Sequence, residues 1–366
     1  MAYWLEKEIY FLIKDKKILF FKENIIIIMK DINELYRQLL LPSDALVADI
    51  AELKGDILIL GVGGKMGPAL AKLAKQAVDS AGVKKRIIGA SRFSEAGLQD
   101  ELNSVGIETY QADLLQDDQL DALPDAENVL YLAGTKFGTI GKEPFTWAMN
   151  SYLPGRVAQK YKNSRIVIFS TGNVYPLSPV LMGGADETVT PQPIGEYAQS
   201  CLGRERLFQY YSSRYNNPTL IYRLNYANDV MYGVLLEIAR SVKEKKLIDL
   251  SMGHVNVIWQ GDANEMALRA FQHCSVPSKI LNIAGPETIP VRWLAKEFGK
   301  LFGQTPEFIN QEQDTALLSN ASESFRLFGY PKVPLKKMIE LIVEWINEGG
   351  RVINKPTHFQ ERTGQF

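Results

Sequence analysis

The chain has 366 residues, 46% hydrophobic and 23% charged, with a formal net charge of −1. That length suggests two domains, or one large domain with an appendage, and the near-zero charge removes the electrostatic case for nucleic acid or an anionic membrane as partner. Two cysteines, Cys201 and Cys274, exclude a disulfide scaffold, and with His254, His273 and His358 they give no zinc-type spacing, so no metal is expected.

Residues 1–30 are rich in Ile, Phe, Lys and Tyr and end Ile25-Ile26-Ile27-Ile28-Met29-Lys30. Lysines and acids interrupt the apolar runs, which argues against a membrane span. No small-residue cleavage site follows an apolar core, which argues against a secretory signal. A cytoplasmic protein is therefore expected. Two readings of the segment stand: translated upstream sequence before a natural start at Met29, or a real hairpin-like extension. A helix is expected over 32–41, then a linker with Pro42 and Ser43, so that 1–50 form an N-terminal extension and helix.

From residue 57 short apolar runs alternate with helix-like stretches. Strands are expected at 57–60, 86–90, 109–111, 129–133, 166–170 and 220–224, with room for crossover helices between them. That alternation predicts an α/β fold, a Rossmann-type doubly wound parallel sheet with helices on both faces, over 51–225. Beyond it the pattern weakens. Helices are expected at 229–245, 291–302 and 335–346, and strands at 254–259 and 281–284. This reads as a smaller C-terminal α/β substrate region over 226–350, with 254–284 returning to the first domain. Residues 351–366 are a polar, aromatic tail that either covers the cleft or frays.

The most informative segment is Gly61-Val62-Gly63-Gly64-Lys65-Met66-Gly67, between an expected strand and a helix-like stretch opened by Pro68. Strand, glycine turn and helix are the context of a dinucleotide-binding turn. One glycine permits the tight turn, one lets backbone approach a pyrophosphate, and the last lets helix and strand pack closely. The helix N-terminus, including the residues around Met66, then faces the anion.

Further motifs follow in order: Asp113-Leu114 after a strand, Tyr131-Leu132-Ala133-Gly134, Asn150, Ser170-Thr171-Gly172-Asn173-Val174-Tyr175, Asp186-Glu187 through Pro193 to Tyr197, Glu205, and Asn282-Ile283-Ala284-Gly285-Pro286-Glu287. Together with the glycine turn they resemble the extended short-chain dehydrogenase/reductase family, the NAD-dependent epimerase/dehydratase group, over about 56–302. The resemblance implies an NAD(P)-dependent oxidoreductase or epimerase acting on a hydroxyl of a sugar or sugar nucleotide. It implies Tyr197 as acid/base and Thr171 as its hydroxyl partner. It also implies Gly61, Gly64, Lys65, Met66, Gly67, Asp113, Leu114, Ala133, Gly134, Asn150 and Tyr197 on the cofactor side, with Asn150 as a structural asparagine behind the active site, and a homodimer through the helices that include Tyr197. A free phenol titrates near ~10, so nearby positive charge has to lower it for use at neutral pH.

The chain departs from the family pattern at two places. Where the family has Tyr-x-x-x-Lys, this chain has Tyr197-Ala198-Gln199-Ser200-Cys201. A neutral thiol cannot replace the lysine, and a thiolate would raise the phenol further. Either another cation substitutes, Arg204 at i+7 on the same helical face or Lys136, or the site has left redox chemistry. In the latter case the protein is a catalytically altered NADP-binding sensor or partner-assisting module. Secondly, Gly172-Asn173 stand where family dehydratases carry an Asp-Glu pair, which speaks against dehydration.

Cofactor preference is read from Ser91 and Arg92 at the end of the second strand. With no acid there for ribose hydroxyls, Arg92, Ser91 and Lys65 favour the 2′-phosphate of NADP over NAD. On the substrate side the candidates are Lys136, Phe137, Asn173, Arg223, Asn225 and His254, for a sugar-like small molecule.

Overall fold

The computed structural model describes residues 10–13, 16–20, 26–29, 32–136, 138, 140–353 and 357–365. The chain divides into two compact units, Met1–Leu41 and Pro42–Phe366. In the first, strands Tyr10–Ile13, Lys16–Phe20 and Ile26–Met29 form an antiparallel sheet, with Tyr10 opposite Leu19 and Lys17 opposite Met29. Helix Ile32–Gln38 follows and ends short of the expected residue 41.

The second unit opens with helix α1 (Asp44–Glu52), which the sequence reading passed over as linker. The linker residue Ser43 is its N-cap: its hydroxyl accepts from Leu46 N at 3.1 Å, satisfying one of the helix's unpaired donors. Leu46 and Ile50, four apart, point inward and are fully buried.

Seven strands then build one parallel sheet: β1 (Ile57–Leu60), β2 (Ile87–Ser91), β3 (Glu108–Gln111), β4 (Asn128–Tyr131), β5 (Arg165–Thr171), β6 (Thr219–Leu224) and β7 (Lys279–Ile283). Their spatial order is β3-β2-β1-β4-β5-β6-β7, and every neighbouring pair is parallel. The central strands read as continuous apolar runs because both faces are covered. Ile57, Leu58, Ile59 and Leu60 are each 0% exposed. Ile57 and Ile59 face one core with Leu70, Ala74, Met266 and Phe271, while Leu58 and Leu60 face another with Val157, Tyr161 and Phe208. The strand order reverses between β1 and β4, and the crevice at their carboxyl ends is where such sheets bind ligands.

The helices that frame this crevice are α2 (Gly67–Ala81), α3 (Leu98–Ser104), α4 (Asp117–Asp121), α5 (Glu143–Trp147), α6 (Leu153–Lys160) and α7 (Gly195–Tyr215). A π-helical turn, Ala148–Tyr152, joins α5 to α6 and carries Asn150. Then come α8 (Val234–Lys243), α9 (Gln260–Arg269), α10 (Val291–Phe302), α11 (Ser322–Phe328) and α12 (Leu335–Asn347).

Two expected elements are corrected. The helix expected from 229 begins only at Val234, because Asp229 and Tyr232 close a tight turn (Asp229 N to Tyr232 O, 2.7 Å) and Gly233 has φ 130°. The strand expected over 254–259 is two pieces, His254–Val255 and Ile258–Trp259, pairing with different partners. Asn256 lies at the break, its amide donating to Ser319 O. No helix among the described residues is long and apolar enough to cross a membrane.

Candidate active site

The glycine turn lies directly after β1, and its glycines do different things. Gly61 has φ 89°, and a Cβ there would fall 2.8 Å from Ala133 N, because the loops after β1 and β4 touch at this point. A Cβ at Gly67 would overlap the Val62 carbonyl, so α2 can approach β1 only with glycine there. Gly64 differs: its Cβ would meet nothing nearer than Gly61 O at 3.3 Å, which leaves an open backbone face. Helix α2 starts with Met66 as N-cap and no side-chain capping bond, and Pro68 stands in its first turn. The first amides of α2 are thus available to an anion, as a bound pyrophosphate requires. The residues present fit a dinucleotide at this cradle.

Around it, Ala133 is buried and Gly134 exposed at the end of β4. Asp113 uses its carboxylate to accept from Leu115 N at 3.1 Å, and Leu114 is buried in the core beside it. Ser91 Oγ accepts from Phe93 N at 3.2 Å and lies against Gly63, while Arg92 is exposed. Lys65 reaches across to Tyr232, its Nζ 3.5 Å from the ring centre. This contact between the turn and the C-terminal region was not foreseen from the sequence.

Thr171 ends β5 and Tyr197 sits in the first turn of α7, and the structure brings their side chains into a hydrogen bond. Asn173 sets its direction. Both its backbone N–H (3.1 Å) and its side-chain amide (2.9 Å) donate to Thr171 Oγ1. With its lone pairs taken, Thr171 has its hydrogen left to offer the phenol oxygen. Burial pushes the Tyr197 phenol well above the ordinary tyrosine range, and the Cys201 sulfur adds to this; Arg204 and the Thr171 hydroxyl oppose it.

Cys201 is 0% exposed, and burial pushes its thiol up, so it is neutral at pH 7. Arg204 is buried below the loop after β4. Its Nη1 donates to Phe169 O at 2.7 Å and its Nη2 to Asn150 Oδ1 at 2.8 Å. Lys136, in that loop, places Nζ 5.5 Å from the centre of the Tyr197 ring. Both candidate cations thus converge on the tyrosine, from below and from the loop. Phe137 lies outside the described residues.

Three expected contact residues are placed differently. Asn150 is fully buried, and its amide is spent on protein: it accepts from Thr135 N (2.9 Å) and donates to Thr135 O (2.8 Å) and Ser200 Oγ (3.1 Å). It therefore holds the loop after β4, the structural place behind the site that the resemblance implies, with no side-chain donor or acceptor turned to a cofactor. Arg223, expected at the substrate, is 1% exposed and forked onto Glu205 at 3.0 and 2.6 Å, with Tyr175 OH at 2.7 Å. A guanidinium on a central strand has to be paired to be buried, and Ser170 Oγ also donates to that carboxylate. Asn225 is likewise buried, donating to Asn256 Oδ1 at 3.2 Å and Leu317 O at 3.3 Å. It backs onto Gly172, where a Cβ would fall 3.0 Å from Asn225 Cγ and 2.9 Å from Ser319 Oγ. Ser319, absent from the expectations, is buried there with its hydroxyl unpaired. His254 is half-buried beside Glu312. Burial lowers its pKa while that carboxylate raises it.

The NAD dependent epimerase/dehydratase family model matches residues 57–284, from β1 to the end of β7, which takes in the glycine turn, Thr171 and Tyr197. The chain belongs to that family. Among solved structures of the same fold, a UDP-glucuronic acid 4-epimerase from Bacillus cereus, in complex with UDP-glucuronic acid and NAD, is 17% identical. It has a TM-score of 0.65, over 80% of this chain and 99% of that one. A UDP-glucose 4-epimerase from Thermotoga maritima is 16% identical with a TM-score of 0.63, over 80% and 99%. A dTDP-glucose 4,6-dehydratase from Bacillus anthracis, in complex with NAD, is 17% identical with a TM-score of 0.67, over 80% and 96%. No curated protein matches the sequence.

Within this epimerase/dehydratase frame the C-terminal tail is docked rather than frayed. Thr357 donates from N and Oγ1 to Glu237 Oε2 at 2.8 and 2.7 Å, and Phe359 is buried. Arg362 donates to Thr315 O at 2.7 Å, Thr315 Oγ1 at 2.6 Å and Ser251 O at 3.1 Å. Gly364 packs on Ile194 and Gly195, at the start of the helix that carries Tyr197.

Proposed function

We propose that the chain is an NAD(P)-dependent oxidoreductase or epimerase acting on a hydroxyl of a sugar nucleotide. The Thr171–Tyr197 pair carries this reading. It sits at the carboxyl edge of the sheet that bears the Gly61–Gly67 cradle, with Asn173 aiming the threonine hydrogen at the phenol. When bound, NAD(P) supplies the hydride acceptor and donor. The chain's own residues do the rest. Gly61, Gly64, Met66 and Gly67 hold the pyrophosphate, Lys65 adds positive charge toward the 2′-phosphate, and Asp113 and Leu114 meet the adenine end. Thr171 holds the phenol oxygen in position, Tyr197 takes or returns the sugar proton at Oη, and Arg204 favours the phenolate by its charge. Asn173 and His254 face the sugar nucleotide. The positions after Thr171 are Gly172 and Asn173, which supply no carboxylate there for water elimination, so dehydration is disfavoured.

The finer reading of the cofactor is NADP. Arg92 is exposed just past β2, next to Ser91, and no acid ends that strand. Arg92→Ala should weaken NADP binding by roughly tenfold while leaving NAD unchanged, consistent with one charge-assisted contact; equal affinities before and after would refute it. A homodimer is also proposed, because Phe145, Trp147 and Tyr152 near α5 and Tyr210 on α7 are exposed aromatics on neighbouring helices. Sedimentation of the purified protein as a monomer would end that idea.

The neutral, buried Cys201 favours a second reading, a dinucleotide-binding module without turnover. Turnover of nucleotide sugars by the wild type, compared with Tyr197→Phe, separates the two. Loss of roughly a hundredfold or more in kcat supports the enzyme. A variant that keeps full rate removes Tyr197 from the mechanism, and a wild type that binds NAD(P) but converts no sugar nucleotide supports the module.

A further inference from the structure

Cys201 stands four residues after Tyr197, so the two side chains share one face of α7. A second basic group reaches that same helical turn from the opposite wall. The loop after β4 is pinned there by Asn150, which bonds both the N–H and the C=O of Thr135. Gly134 lets the loop lie close on Arg204: a Cβ at 134 would fall 2.5 Å from Arg204 Nη2 and 3.0 Å from Asn150 Oδ1. The next residue along this fixed backbone is Lys136. Its Nζ lies over the Tyr197 ring, 5.5 Å from the centre, and its charge is felt at the Cys201 sulfur.

Resting on the reading of Tyr197 as acid/base, we propose that Lys136 is the working cation of this site, holding the ligand hydroxyl beside Tyr197. Arg204 cannot do this. It is 6% exposed, and its two terminal nitrogens already donate to Phe169 and Asn150. It is a fixed charge behind the tyrosine, whereas Lys136 stands on the loop. In the oxidative direction the proton leaving the sugar hydroxyl goes to Tyr197 Oη, and the Lys136 ammonium, donating to the sugar oxygen, offsets the negative charge that grows on that oxygen as the proton leaves. Among the described residues, Tyr197 and Cys201 face Lys136 from α7, and Arg204 and Glu205 act on the Cys201 sulfur from behind. Burial lowers Lys136 to about 8, with the Cys201 sulfur opposing. The cation is therefore present at neutral pH and lost just above it.

The test compares wild type, Lys136→Met and Lys136→Arg. Wild-type turnover should fall as pH rises through about 8. The arginine variant should keep its activity and lose that fall, since a guanidinium does not titrate there. The methionine variant should lose roughly 10–100-fold at pH 7. A methionine variant with wild-type rate and an unchanged alkaline limb overturns the proposal. A second readout is independent of turnover: the affinity of a nucleotide sugar for the dinucleotide-loaded protein, followed against pH by calorimetry. It should weaken in wild type as pH rises through about 8 and be weak and flat with pH when Lys136 is methionine; equal affinities in the two proteins overturn the proposal. If wild type turns over no sugar nucleotide at all, the functional reading fails, while this titration still decides the place of Lys136.

Discussion

At the scale of single residues, the site shows two ways of burying positive charge. Arg223 is matched by Glu205, and Tyr175 and Ser170 complete the network. Removing one partner leaves the other charge uncompensated in the core, which typically costs 3–5 kcal/mol. Arg223→Met should therefore lower stability by about that much in urea unfolding, and Arg223→Met with Glu205→Gln should recover part of it. Lys136 is different, for burial holds it below its ordinary value. Below pH about 8 both folded and unfolded states carry its proton, and the burial penalty is felt in full. As pH rises from about 8 toward the model-peptide value near 10.5, the unfolded state holds more protons, so stability from this group increases. Lys136→Met should accordingly be more stable than wild type at pH 7, by on the order of 1–3 kcal/mol. The advantage should vanish above pH about 10.5. A variant that loses activity while gaining stability is the signature of a group kept for function.

At the scale of elements, the glycine turn makes the sharpest contrast. Gly67→Ala drives a Cβ into the Val62 carbonyl and has to push α2 off β1, so thermal stability should fall by several degrees, on the scale of a 1–3 kcal/mol overpacking cost. Gly64→Ala meets only Gly61 O at 3.3 Å. It should leave the melting temperature nearly unchanged yet weaken dinucleotide binding by tenfold or more, because the added methyl stands where the pyrophosphate approaches. Equal effects of the two substitutions on melting would contradict this division. Strand β1, the turn and α2 were legible because apolar run, glycines and Pro68 are all local signals. So was α10, whose apolar periodicity gives the bounds 291–302 directly. Helix α1 was missed because Pro42 and Ser43 read as a linker, when Ser43 is a cap. Arg223 and Asn225 read as ligand contacts because the run Arg223-Leu224-Asn225-Tyr226 resembles a segment of the family. Only the packing of α7 on β6, which brings Glu205 to Arg223, reveals otherwise. The convergence of Lys136 with Tyr197 joins residues 61 positions apart, a distance no motif spans.

At the scale of the whole molecule, the tail ties the C-terminal region to the helix that carries Tyr197. Thr357 binds α8, Arg362 binds the segment at Thr315, and Gly364 reaches the start of α7. A chain ending at residue 356 exposes the Phe359 site and leaves Glu237 and Thr315 without these partners. Its melting temperature should drop by a few degrees, and any turnover should fall with it, since the first turn of α7 loses its neighbour. Unchanged melting and turnover would show that the docking is idle. Cys201, in the same helix, is sealed at 0% exposure, whereas Cys274 is only half-buried. A thiol reacts only as an accessible thiolate, so alkylation of Cys201 has to wait until α7 lifts from the sheet. The chain thus carries a clock at its centre. The rate at which that one sulfur is labelled, resolved from Cys274 by peptide mass, counts how often α7 lifts, and the slowing caused by an added dinucleotide weighs what the dinucleotide contributes to keeping it closed.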